Sequence, residues 1–252
     1  VQESFNLSPA ADDVPASPLP QPYIETHPLP MILNIDLVSD FVCPWCFLGA
    51  VRLDRALAEL RATRPDIEPR INWLPFFLNP DTPPAGEPYR AFLEGKFGGP
   101  VKAEAVLDQV REAAAGDGLQ YAFERIATRP NTLAAHRLLY RAQAHGHKPE
   151  RVRALAHALF AAHFQEGRDI GDLDTLADLA AACGDRRELV REWLERGTDA
   201  DKVQRMAAGL RRQGIDGVPF FILDRRLSLS GAQSAAVIGA ALLQALETGK
   251  PS

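Results

Sequence analysis

The sequence predicts an α/β fold in which a β-α-β half and a β-β-α half flank a large all-helical insertion. Three observations carry this. Apolar, β-branched runs of strand length stand toward both ends of the chain, at residues 32–38 and 70–76 and again at 217–223 and 227–230. Between them, residues 89 to 213 place apolar side chains near every 3.6 residues almost without interruption. A Cys-Pro-Trp-Cys motif, Cys43 to Cys46, separates the first strand run from the first amphipathic helix.

Each element has its own signal. Residues 32–38 form a short apolar run that reads as a buried strand. After the motif, Leu48, Val51, Leu53, Leu57 and Leu60 recur at helical spacing until Pro65 stops the pattern. Residues 70–76 partly alternate, with Pro75 marking a strand end or edge, and a proline-rich loop covers residues 79–88. In the insertion, apolar stripes such as Leu155/Leu159/Phe160/Phe164 and Leu189/Trp193/Leu194 read as core. Asn131 or Thr132, Asp172, and Thr198 with Asp201 mark helix starts. The pattern then returns to strands, with a turn at Asp224-Arg225-Arg226. Gly231-Ala232-Gln233 opens a final helix carrying Val237, Ile238, Leu242, Leu243 and Leu246, closed by Gly249 and Pro251.

The organisation that follows is a Pro-rich flexible tail at 1–30, an α/β domain assembled from 31–80 and 214–252, and the insertion at 81–213. The tail holds seven prolines and no Lys or Arg, and it offers neither the positive start nor the apolar run of an export signal. Met31 stands immediately before the first strand, where translation is able to begin. The expected location is the cytoplasm, with the periplasm returning if a leader has been removed.

Composition narrows the function. Apolar residues make up 46% and charged residues 24% of the 252, as in ordinary folded domains, and no apolar stretch is long enough to span a membrane. A net charge of -5 lacks the basic excess that phosphate neutralisation needs, so nucleic acid is excluded as a partner. Three cysteines are too few for a disulfide scaffold.

Two of those cysteines carry the chemistry. At a helix start, unpaired N–H groups and the dipole favour a thiolate at Cys43. Cys46 lies one turn on, where a disulfide closes with little backbone motion. Pro44 fits the first turn, whose N–H would be unpaired anyway. Zinc would need four ligands and only Cys183 remains, so no metal is expected. A purely structural disulfide is the other reading, but a strand-to-helix junction is where such a pair is redox-active. Cys183, near a helix end, reads as an inert small hydrophobe, and His145 and His147 as a helix terminus. His136 reads as core or surface, with the cleft as the alternative. Pro219, opening a buried run, fits a sheet edge or a cis peptide, and Val218 there could offer its backbone to an extended peptide.

Taken together, Ser39 to Cys46, Pro75-Phe76-Phe77-Leu78-Asn79-Pro80, Asn131-Thr132 with His136, and Gly217 to Phe221 with Gly231-Ala232-Gln233 resemble the DsbA-like oxidoreductases of the FrnE-type branch, related to 2-hydroxychromene-2-carboxylate isomerases. The likeness covers residues 32 to 248. It implies a thioredoxin fold with a helical insertion, Cys43 as attacking thiol, Cys46 as resolving thiol, and a cis peptide before Pro219 facing the pair. It also implies a buried acid that assists proton transfer, with Asp36 the strand residue expected in that role and Asp40 its rival.

The expected function is thiol–disulfide exchange with protein or small-molecule thiols and disulfides, by a monomer or homodimer. Cys43, Cys46 and Pro219 are the catalytic positions, and Pro44, Trp45 and Val218 contact substrate. No cofactor is expected beyond the Cys43–Cys46 couple, with glutathione a candidate co-substrate. The alternatives are a glutathione-dependent isomerase or transferase, in whose relatives a serine generally replaces the first cysteine, and a chaperone-like polypeptide-binding module.

Overall fold

A helix placed between two strands of one sheet lets them run parallel, and this is how the chain begins. The computed structural model describes residues 30–248, so the expected tail lies, apart from Pro30, outside the described residues, as do Gly249 and Pro251. The first run forms β1 (Met31–Ser39), the motif opens α1 (Pro44–Thr63), and the chain returns in β2 (Ile67–Pro75). β1 and β2 pair in parallel from Met31 opposite Ile67 to Ser39 opposite Pro75. The second strand thus starts earlier than residue 70, because β1 offers it partners along its whole length.

The insertion contains β3 (Glu87–Pro88), α2 (Tyr89–Phe97), α3 (Pro100–Ala115), a single 3₁₀ turn (Phe123–Arg125), β4 (Thr128–Arg129), α4 (Leu133–Ala144), α5 (Pro149–Phe164), α6 (Leu173–Ala182), α7 (Arg187–Glu195) and α8 (Ala200–Arg212). It is therefore not all-helical: β3 and β4 form a two-residue antiparallel ladder. The buried Arg129 guanidinium ties this ladder to Glu87 and Thr82 and lies over the Phe92 ring. β5 (Phe220–Leu223), β6 (Leu227–Ser230) and α9 (Ala235–Glu247) complete the fold.

The four-stranded sheet has the order β2-β1-β5-β6, with β5 antiparallel to β1 and β6 antiparallel to β5. Period-two alternation divides its residues between two faces. Leu33, Ile35 and Leu37 of β1 join Leu48, Leu53 and Leu57 of α1 and Ile238 and Leu242 of α9 in the main core, each almost fully buried. Burying one such side chain stabilises the fold by roughly 2 kcal/mol. On the other face, Val38 and Phe76 pack with Leu210 of α8 and with Ile215. α8, the last helix of the insertion, thus packs on the sheet's second face.

Several local expectations change. Asp172 caps α6 through a hydrogen bond from Thr175 N, as expected. Thr198 caps nothing: α8 begins after Asp199, which takes a left-handed conformation without a side-chain cap. Thr132 is not a side-chain cap either, and the Asn131 carboxamide instead accepts from Leu133 N while donating to Thr82 O. Ser234, whose hydroxyl accepts from Val237 N, caps α9, and Gly231-Ala232-Gln233 forms the turn before it. Leu189, Val237 and Leu243 are exposed flanks of their apolar stripes. Among the described residues no helix is long and apolar enough to cross a membrane.

Candidate active site

The carboxyl end of β1 delivers the dithiol. A turn closed by Cys43 N donating to Asp40 O (3.0 Å) leads into α1, with Cys43 as N-cap in extended conformation and Pro44 in the first turn. No side chain caps this terminus, and Cys43 stands at its N-cap, the end of the helix where the dipole favours negative charge. Cys46 N donates to Cys43 O at 3.0 Å, one turn in. Both thiols are free and both are buried, Cys43 with a 4% remnant of exposure and Cys46 with none. Burial pushes the Cys46 thiol well above its ordinary range, and its hydrogen bond to Cys43 and the neighbouring charge of that thiol add to the effect. The protonated thiol is thereby the favoured form of Cys46.

The other wall is the loop before β5. The Val218–Pro219 peptide is cis, and the Cys43 thiol donates to Val218 O at 3.6 Å. Gly49 lets this loop approach α1, because a Cβ there would lie 2.9 Å from Pro219 Cγ and 3.3 Å from Phe221 Cζ. Pro44, Trp45 and Val218 are half-buried, and Trp45 packs against the core while keeping part of its surface open. The structure thus brings together Cys43, Cys46, Pro44, Trp45, Val218 and Pro219.

Asp36 does not join them. It lies on the face of β1 opposite the one that carries Leu33, Ile35 and Leu37 into the main core. There it is half-exposed, and its carboxylate accepts from Asn72 Nδ2 at 2.9 Å. The buried acid is Asp40, 1% exposed and in hydrogen-bonding contact with Cys46 through its backbone. One carboxylate oxygen accepts from Leu78 N at 2.8 Å and the other lies 3.3 Å from His136 Nε2. His136 is buried between the Phe41 and Phe77 rings, against this acid. The motifs at 75–80 and 131–132 converge nearby, and with Arg211 of α8 they line a cavity of about 310 Å³.

Besides Gly49, sequence reading missed three contributors. Tyr121 donates its hydroxyl to Pro44 O at 2.6 Å, and burial, followed by the charges of Cys43 and Cys46, raises its proton affinity. Arg52 links α1 to Asp117 (2.8 Å), Ala113 O (2.8 Å) and Ala232 O (2.6 Å). His163, wholly buried, is pushed down to about 4 by desolvation and stays neutral near pH 7. Gly49 at least carried a signal, as a glycine inside a helix. Tyr121 and Arg52 carried none, because their partners are remote in the chain, and the burial of His163 likewise depends on the closed fold. Cys183 ends α6, half-buried, and burial raises its thiol, in keeping with an inert side chain. Among the described residues no group of three or more His, Cys, Asp or Glu could hold a metal ion.

Known proteins are similar to this chain. The chain is 29% identical over 197 residues to the uncharacterized protein YwbO of Bacillus subtilis, covering 77% of this chain and 88% of that one. The crystal structure of a probable DsbA oxidoreductase, SCO1869 of Streptomyces coelicolor, is 32% identical and superposes with a TM-score of 0.75, covering 87% of this chain and 92% of the other. The cytosolic disulfide reductase DsbM of Pseudomonas aeruginosa, solved with GSH, shares the fold at 19% identity and a TM-score of 0.58, covering 85% and 99%. A family model for the DSBA-like thioredoxin domain matches residues 34–243, and the chain belongs to that family.

Proposed function

We propose that the protein is a thiol–disulfide oxidoreductase that works through Cys43 and Cys46. The observation that carries this is the pairing of a thiol at a helix N-cap position with a buried second thiol one turn on, beside the backbone of Val218–Pro219. In the reducing direction, the Cys43 thiolate attacks a substrate disulfide, one substrate sulfur leaves as thiolate, and a mixed disulfide forms at Cys43. Cys46 then gives up its proton and attacks Cys43 Sγ. The second substrate thiolate leaves, and the Cys43–Cys46 disulfide holds the two electrons' worth of oxidation removed from the substrate. Pro44, Trp45 and Val218 form the rim that meets substrate, and Asp40 is the acid placed to accept the Cys46 proton.

Substrates in this reading are disulfides of proteins or small thiols, and glutathione is a candidate for returning the couple to its dithiol form. The test is reduction of insulin disulfides by dithiothreitol with and without the protein, run beside turnover of a hydroxychromene carboxylate with glutathione. Acceleration of the first, lost in Cys43→Ser, supports exchange. Turnover of the second alone would assign isomerase chemistry, and protection of unfolded chains without either would assign a binding module.

A further inference from the structure

Beside the Tyr121–Pro44 hydrogen bond, the insertion makes a second buried polar contact near the dithiol, between His136 and Asp40. His136, on α4, and Asp40, between β1 and α1, are 96 residues apart in the chain and both almost wholly buried, with Nε2 and Oδ1 separated by 3.3 Å. A buried carboxylate needs donors for both oxygens, or it becomes costly to keep charged. Leu78 N satisfies one oxygen, and His136 is the partner of the other. The imidazole cannot swing away, because Phe41 and Phe77 hold it at ring-centroid distances of 4.9 and 5.2 Å.

We infer that His136 is a positioning residue for the resolving step: through its ring N–H, the insertion fixes the carboxylate of Asp40, the buried acid in backbone contact with Cys46, as acceptor of the Cys46 proton. This rests on the oxidoreductase reading and adds a role for the insertion. In the step, the Cys46 S–H bond breaks, the proton moves to Asp40, and the sulfur electron pair forms the bond to Cys43 Sγ. The substrate thiolate leaves and takes its own proton from water, and the thiol proton held by Asp40 returns when the couple is reduced by an external thiol. Other ionisable groups around the pair are Cys43 on α1, Tyr121 ahead of the 3₁₀ turn, and His163 on α5, which stays neutral above about pH 4. Arg211 of α8 is held by the Phe77 carbonyl and the Phe76 ring.

The experiment follows the protein after mixing with oxidised glutathione. Acid quenching and mass spectrometry separate the Cys43–glutathione adduct from the internal disulfide across pH. His136→Phe keeps the ring packing but removes the donor. The acid limb of the resolution rate is then expected to move up by about one pH unit, with resolution about tenfold slower on that limb. His136→Gln, whose amide reaches the same place, restores most of the rate. In an Asp40→Asn background, His136→Phe causes no further slowing. His136→Asn, too short to reach Asp40, gives the same reading if His136→Phe does not fold. A donor-less variant whose profile superimposes on wild type, or which slows Asp40→Asn further, overturns the inference. A wild-type protein that forms neither adduct nor internal disulfide overturns the oxidoreductase reading itself.

Discussion

The Cys43 thiol and the Val218 carbonyl, 175 residues apart in sequence, meet at 3.6 Å. They do so because the inner strand β1 ends and its antiparallel neighbour β5 begins at the same end of the sheet, so α1 and the cis-proline loop lie side by side. A serine hydroxyl at position 43 can still donate to that carbonyl. Cys43→Ser is therefore expected to unfold in urea within about 1 kcal/mol of wild type while losing all insulin reduction.

Burial separates the two sulfurs chemically. Iodoacetamide at neutral pH, followed by peptide mapping, is expected to label Cys43 in the native protein and to spare Cys46 until denaturant is added, since desolvation keeps Cys46 protonated. In Cys46→Ser, the mixed disulfide with a glutathione substrate should accumulate rather than resolve. Equal labelling of both sulfurs in the native state would contradict the division of roles.

Gly49 is a packing requirement. Gly49→Ala gains about 1 kcal/mol of helix propensity, but its methyl meets the Pro219 ring at 2.9 Å, and overpacking of this kind costs about 1–3 kcal/mol. The expected net effect is destabilisation with reduced exchange activity. Gly239→Ala on α9, where an added Cβ meets nothing within 4 Å, is the control and should stabilise the protein. Urea midpoints for the two variants should move in opposite directions.

His163 sets an acid limit on stability. Its folded value of about 4 lies below the ordinary 6.5, so between these values the unfolded chain binds the extra proton and stability falls as pH falls. The loss from pH 7 to below 4 is roughly 3 kcal/mol for this group. His163→Leu should flatten the urea midpoint across that window, and an unchanged slope would show that other groups govern it.

Tyr121→Phe removes the hydroxyl from the half-buried Pro44 carbonyl and leaves the stacked ring in place. The expected cost is about 1 kcal/mol of stability, together with faster alkylation of Cys43 as the dithiol turn loosens. Thermal unfolding and alkylation rates check the two parts separately.

What could be read along the chain was local in origin. The 3.6-residue stripes marked the helices, the β-branched runs marked the strands, and the Cys-Pro-Trp-Cys spacing at a strand-to-helix junction marked the dithiol, because each signal acts within a few residues of its own position. The strand alternation alone could not choose between Asp36 and Asp40. Which face of β1 meets α1 is settled by how the sheet packs, and that packing turns Asp36 to Asn72 and places Asp40 against Cys46 and His136. The same holds for α8, which reads as one more insertion helix yet covers the sheet's second face, and for Tyr121 and Arg52, whose partners lie 61 to 180 residues away. Contacts of that range depend on the closed fold as a whole, and no local pattern encodes them.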